Sequence, residues 1–308
     1  LNHNPLFNRL TDIEGVKIKK SVIMAPNTSY RIGGPAGIWI VPRSEKAVGQ
    51  VLQVLHRARV PLFVLGLGTN IIVSDKGWDG AVVHIGPNLG GWHFEGRQAV
   101  ARAGTGLMNL IQATVAGGLA GMESMAGIPG SVGGGLRMNA GAFGQEIAST
   151  TVWVRGFYPD GTPFKADRDA IGFGYRTAAQ LQDVIITSAR FRFAFDDPET
   201  LAARMEKVLN RRRARQPLDV LSCGSVFKRP PNHYAGKLIA MAGLKGERIG
   251  GAMVSPKHAG FIVNTGSASA ADVFNLIRKV ESTIWHKSGV RLEREVKLVG
   301  DFGPAGGG

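Results

Sequence analysis

The chain has 308 residues, enough for two or three modest domains with real cores. Its hydrophobic fraction of 44% is ordinary for a globular protein, and the absence of any run of about 18 apolar residues excludes a membrane-spanning helix. The formal net charge of +14 fits either nucleic acid or a polyanionic small molecule. No RNP motif, zinc-finger spacing or interleaved aromatic stripe is present, so no nucleic-acid partner is expected.

The first residues, LNHNPLFNRLTDI, lack a charged-then-apolar leader pattern. Cys223 stands alone and cannot form an internal disulfide, which points to the cytoplasm. Turn signals at Gly33, Gly34 and Pro35 precede a strand at 38–41. Ser44 then caps a helix carrying Val48, Val51, Leu52, Leu55 and Ala58 at helical spacing. A short strand at 61–65 completes a β-α-β layer. Gly66 and Gly68 follow it, but 71–73 continue as a strand and the third glycine of a dinucleotide fingerprint is missing. The run 103–106 opens a helix at 107–117 and also lacks that glycine. A nicotinamide-type Rossmann domain is therefore not expected.

Residues 127–144 read GIPGSVGGGLRMNAGAFG, with five glycines within the first nine positions. Such a run predicts a loop with neither helix nor strand, whose backbone comes close to a ligand. Clustered main-chain N–H groups form concavities suited to a diphosphate. Strands are expected at 80–85, 99–103, 151–157 and 184–195. Asp196, Asp197 and Pro198 form a turn before a helix at 199–213. The basic run Arg211, Arg212, Arg213 and Arg215 reads as a solvated helix end. Helices follow at 235–242 and 269–286, the second closed by Gly289. The last strand is expected at 290–299, and the tail FGPAGGG as disordered.

The glycine-rich run resembles the flavin-binding segment of the UDP-N-acetylenolpyruvoylglucosamine reductase (MurB) family, in which GIPGSVGG and MNAGA wrap the FAD diphosphate. Gly66, Gly68, Thr69, Asn70 and Ile71 resemble the family's other flavin-contact loop. The resemblance implies noncovalent FAD held by those residues, by Pro129, Gly130, Ser131, Gly133, Gly134, Asn139 and Gly141, and by Lys297. Covalent attachment is not expected, because neither glycine-rich loop contains His or Cys.

Three further segments carry the resemblance. Phe173-Gly174-Tyr175-Arg176 resembles the family's GYR motif, which makes Arg176 catalytic. Chemically, a guanidinium grips a carboxylate with two parallel hydrogen bonds and stabilises developing negative charge. Ser222-Cys223-Gly224-Ser225-Val226-Phe227-Lys228 implies Ser225 as proton donor, a role open to a hydroxyl held in place and relayed to solvent. In Leu292-Glu293-Arg294-Glu295-Val296, alternation puts both glutamates on one face and does not choose between them. The family motif places the catalytic one second, at Glu295, with Arg294 where proline is usual. Tyr175, Lys228, Arg229 and Lys237 are the implied substrate contacts. Arg229 stands where many relatives have Asn. The short interval between Arg176 and Ser225 implies the second family type, which lacks a Tyr-bearing loop.

The fold class expected is α+β. A two-subdomain FAD-binding domain like that of vanillyl-alcohol oxidase (the PCMH type) spans 1–196, with subdomains at about 1–78 and 79–196. A smaller α+β substrate domain spans 197–308. The resemblance implies NADPH-dependent reduction of the enolpyruvyl ether of UDP-N-acetylglucosamine to UDP-N-acetylmuramate, by a cytoplasmic monomer with no metal and no membrane partner. A flavin oxidase of alcohols or 2-hydroxy acids, and a basic binding module without chemistry, are the rival readings. The set Arg176, Ser225 and Glu295 argues against both.

Overall fold

The structure, a computed structural model, describes residues 5–303. It is α+β and divides into two compact units, each with its own core. Residues 5–20, 37–67 and 80–211 form the first; 21–36, 68–79 and 212–303 form the second. The chain therefore passes between them several times.

In the first unit, Ser44 caps helix Glu45–Arg57 by accepting from the Ala47 N–H at 3.1 Å. The face carrying Val48, Val51, Leu52 and Leu55 is fully buried, as its spacing predicts. Strands Val16–Ile23, Pro35–Pro42, Trp78–His84 and Leu62–Leu65 form a sheet in that spatial order, the last pair parallel. A second, antiparallel sheet takes Pro163–Asp167, Thr151–Phe157, Ile185–Arg192, Gln98–Arg102 and Trp92–Glu95 in order. The strand expected at 184–195 is interrupted at Phe193. Its end, Ala194–Phe195, leaves the sheet and pairs with Leu119–Ala120. Helix Pro5–Thr11, for which no periodic signal exists, lies in this unit with Leu10 buried.

The second unit contains strands Arg248–Ile249, Ala252–Val254 and Ile262–Asn264, with helices Ala235–Met241 and Ala270–Ser288. The longer helix starts on a capping box, Ser269 with Asp272, and ends on Gly289 at φ 67°. Its Val273, Leu276, Ile277, Val280 and Ile284 join Tyr30, Ile32, Ile72 and Val226 in one core.

Three expectations need correction. The glycine-rich run is not wholly irregular: Val132–Arg137 is a short helix, and Gly141–Ala142 pairs with Gln145–Glu146. Ser131 caps it, and Val132 and Leu136, four residues apart, are both buried. Tertiary packing there overrides the poor helix propensity of glycine. The final strand covers only Lys297–Val299. Residues 290–296 are apolar in alternation, but their backbone meets no continuous neighbouring strand. In the basic run, Arg212 is buried at 7% exposure rather than solvated. The part of the tail expectation that falls on residues 304–308 lies outside the described residues.

Candidate active site

Local capping shapes the first unit's share of the site. Ser131, 2% exposed, accepts from the Gly134 N–H at 3.2 Å. The neighbouring N–H groups are also engaged within the protein: Val132 to Thr105 O at 2.8 Å, Gly133 to Ala103 O at 2.9 Å, and Gly135 to Ser131 O at 2.8 Å. The glycines differ in why they are glycines. A Cβ on Gly133 would stand 2.9 Å from the Ala103 Cβ, so packing within the protein already requires it. Gly134 is exposed, and a Cβ there would meet only the Ser131 Oγ, at 3.5 Å. Gly130 holds φ 136°, a conformation closed to other residues. Gly66 approaches the same serine, since its Cβ would lie 2.8 Å from the Ser131 Oγ. The N–H groups of Val132, Gly133, Gly134 and Gly135 are therefore not free to form the anion-binding concavity expected of the run; what the run leaves open is the backbone surface at Gly134 beside the serine hydroxyl.

Asn139, 1% exposed at φ 41°, ties this run to the GYR hairpin. Its amide donates to Glu146 Oε2 at 2.8 Å and to Gly174 O at 2.9 Å, and its Oδ1 accepts from Ala148 N at 3.3 Å. The Asn139 side chain is thus engaged by protein on all sides. Strands Phe173–Gly174 and Thr177–Ala178 put Tyr175 and Arg176 at a two-residue tip. Arg176 sits at φ 56°, a left-handed backbone rare for arginine and a mark of a constrained site. Its guanidinium donates to Gly141 O at 2.8 Å and Asn139 O at 3.5 Å and lies 5.2 Å from the Tyr175 ring. The structure therefore brings Arg176 onto the glycine-rich run, 35 residues away in sequence.

His84 was not legible in the sequence. It hydrogen-bonds the Gly66 backbone, and its ring lies 4.9 Å from Trp39. Burial holds its pKa below the usual 6.5, against the opposing pull of that hydrogen bond.

The second unit gathers the remaining candidates. Gly68 lies so close to the Asn27 carbonyl that a Cβ would be 2.2 Å from it. From there Asn70 donates its amide to Glu295 O at 3.1 Å, and Asn70 O accepts from Lys297 N at 3.0 Å. Ile71–Val73 continues beside Lys297–Val299 as a parallel pair. Glu295 N donates to Val226 O at 2.8 Å, next to Ser225, so the glutamate and the serine share one neighbourhood. Ser225 itself bridges to Phe261, and its hydroxyl donates to Phe227 O at 3.3 Å. The two glutamates part company here. Glu293, with a side chain 72% exposed, pairs with Lys228, while Glu295 is half-buried.

Around these, Arg229 stacks 4.1 Å from the Tyr234 ring, and Lys237 is exposed on the first turn of Ala235–Met241. His258 accepts from Gly260 N at 3.1 Å through Nδ1. A Cβ on Gly260 would lie 3.0 Å from the His258 ring and 3.4 Å from the Ser225 Oγ, so that glycine admits both side chains. Burial lowers the His258 pKa, and the Lys245 charge lowers it further. Cys223 is buried with its thiol pushed up to about 12 by burial, which makes it unreactive. No cluster of three or more His, Cys, Asp or Glu suited to a metal occurs among the described residues.

Comparison with known proteins bears on both units. Residues 216–299 match the family model described as UDP-N-acetylenolpyruvoylglucosamine reductase, C-terminal domain, and residues 36–167 match an FAD binding domain. The UDP-N-acetylenolpyruvoylglucosamine reductase of Latilactobacillus sakei is 41% identical over 286 residues, 92% of this chain and 94% of the relative. That of Caldanaerobacter subterraneus is 40% identical, across 96% of this chain and 98% of the relative. The crystal structure of the same reductase, MurB, from Thermus caldophilus superposes with TM-score 0.78 at 32% identity, covering 92% of this chain and all of that one.

Proposed function

The chain belongs to the UDP-N-acetylenolpyruvoylglucosamine reductase family, and we infer that Arg176, Ser225 and Glu295 are the groups through which it acts on its substrate. It is an FAD-dependent oxidoreductase. It reduces the enolpyruvyl ether of UDP-N-acetylglucosamine to UDP-N-acetylmuramate with NADPH, in peptidoglycan precursor synthesis. Bound FAD supplies the hydride transfer that no side chain can perform. The open backbone at Gly134, the left-handed Gly130 and the close approach of Gly66 to Ser131 fit such a group.

The protein's own contribution is positioning and polarisation. Arg176 donates to two backbone carbonyls, which orient its guanidinium, and we assign it the substrate carboxylate. Ser225 delivers the proton to the carbon next to that carboxylate. Its 3.3 Å hydrogen bond to a carbonyl is long enough to be exchanged for one to substrate. Glu295 acts beside it, on the enol that forms. The observation that supports this assignment is the backbone bond from Glu295 N to Val226 O, the carbonyl of the residue next to Ser225.

Gly66, Gly68, Thr69, Asn70, Ile71, Pro129, Gly130, Ser131, Gly133, Gly134, Asn139, Gly141 and Lys297 form the proposed cofactor set. Within it, Gly133 and the Asn139 side chain act by shaping the loop. Tyr175, Lys228, Arg229 and Lys237 are assigned to the substrate, whose diphosphate calls for cations. A functional boundary at 196/197 is part of the proposal, supported by family matches on either side of it. So are a monomeric state and a cytoplasmic location; no described helix is long and apolar enough to cross a membrane. NADPH oxidation measured with and without the enolpyruvyl substrate tests the reading. Oxidation that requires substrate and yields UDP-N-acetylmuramate supports it. Substrate-independent oxidation at the same rate would favour an oxidase.

A further inference from the structure

Glu295 lies in a segment that no ladder holds. Regular pairing begins only at Lys297, and before it the backbone makes a single bridge, Phe227 with Arg294. A stretch without a continuous partner strand relies on individual contacts to fix its residues. Three elements hold three successive residues. Lys228 takes the side chain of Glu293. Val226 O accepts from the Glu295 N–H at 2.8 Å, and the Asn70 amide donates to Glu295 O at 3.1 Å. Between them, Arg294 reaches helix Ala270–Ser288 and grips Glu281 with both arms of its guanidinium, Nε to Oε1 and Nη2 to Oε2, each at 2.6 Å.

The fork is more than a surface pair. Its side chains are 30% and 23% exposed, and the guanidinium lies 5.3 Å from the Phe274 ring. Two parallel bonds fix the plane of the guanidinium as well as its distance. Its anchor is a helix of 19 residues, capped at both ends and packed into the core. Alternation along an extended chain turns the side chains of 294 and 295 to opposite sides. Holding Arg294 toward the helix therefore turns Glu295 the other way.

We propose that Arg294 and Glu281 are positioning residues that set the direction of the Glu295 carboxylate. The proposal rests on the role assigned to Glu295 above. The side-chain hydrogen bonds of the fork run only between Arg294 and Glu281, so its loss is expected to separate from loss of flavin.

The test is a double-mutant cycle on the flavin-loaded enzyme, with FAD affinity of the apoprotein measured alongside. Glu281→Gln removes the charge and one half of the fork; Arg294→Lys keeps the charge and removes the fork. Both are expected to bind FAD, and to be reduced by NADPH, within about twofold of the parent. Reoxidation by the enolpyruvyl substrate should slow by about tenfold or more, the scale on which small misplacements act. In a Glu295→Gln background the same substitutions should change that rate by less than about twofold. A slowing of equal factor in both backgrounds, or none in either variant, overturns the clamp alone. A silent Glu295→Gln overturns the role of Glu295 and the clamp with it. Should Glu281→Gln not fold, Arg294→Lys carries the same comparison.

Discussion

Two neighbouring glycines separate a packing role from a binding one. Gly133→Val forces a side chain against Ala103 and is expected to yield misfolded or unstable protein whether or not FAD is added. Gly134→Val meets only the Ser131 hydroxyl, so it should fold with an unchanged melt and bind FAD weakly. Melting curves of both apoproteins, with titration of FAD, decide this; a Gly134→Val variant of full flavin content would move the cofactor elsewhere. Arg176→Lys keeps a charge but loses the fork. Its reoxidation by substrate should fall by about 10²-fold with flavin reduction intact. Stopped-flow rates for the two half-reactions check this, and equal losses in both would make Arg176 a residue of the fold or the flavin. His84 gives a pH signature. Burial holds its folded pKa below 6.5, so the unfolded chain binds the extra proton first. Stability is then full above about 6.5 and lost as pH falls from there through the folded value. His258 adds to the slope with the same sign. His84→Gln should flatten the acid side of a melting-temperature profile; an unchanged slope would remove His84 as its source.

At the scale of elements, local signals were legible and non-local ones were not. Ser44 announces its helix, because a cap is built from residues three apart, and the structure opens the second long helix on a box of the same spacing, Ser269 with Asp272. Ser269→Ala should cost about 1 kcal/mol of stability, read from denaturant midpoints at constant slope. A change below about 0.3 kcal/mol would mean the box is ornamental. The helix Val132–Arg137 was hidden, since glycine spacing says nothing about the Thr105 and Ala103 carbonyls that receive its first N–H groups. Residues 290–296 misled in the opposite direction. Their alternation is real, and Val290, Leu292 and Val296 do meet the core, but alternation reports a buried face and not a partner strand. The site followed the same rule. The proposed residues Arg176, Ser225 and Glu295 come from family motifs, whereas the setting of His84 and the Arg294–Glu281 fork depend on contacts that sequence spacing does not encode.

For the whole molecule, the threading of the chain carries its own consequence. Tyr30, Ile32 and Ile72 belong to the second unit's core, although they precede most of it by well over a hundred residues. The Tyr30 hydroxyl donates to Ile262 O at 2.8 Å, and Asn264 donates back to Tyr30 O at 2.9 Å. A fragment of residues 197–308 alone lacks these groups and should show no cooperative melt; a sharp transition would mean the borrowed segments are dispensable. Tyr30→Ala in the full chain should cost about 3–5 kcal/mol, as large aromatic truncations in cores do. Such threading also bears on chemistry, because 68–79 brings Asn70 to Glu295 within the same unit. The proposed reduction of the enolpyruvyl ether is open to a direct test on one substrate. Enzyme reduced anaerobically with one equivalent of NADPH, then mixed with UDP-N-acetylglucosamine enolpyruvate, tests it in a single turnover. The oxidised flavin spectrum should return with one equivalent of UDP-N-acetylmuramate formed, and the Ser225→Ala variant should do so slower by about 10²–10⁴-fold. Flavin that stays reduced until oxygen is admitted would contradict it.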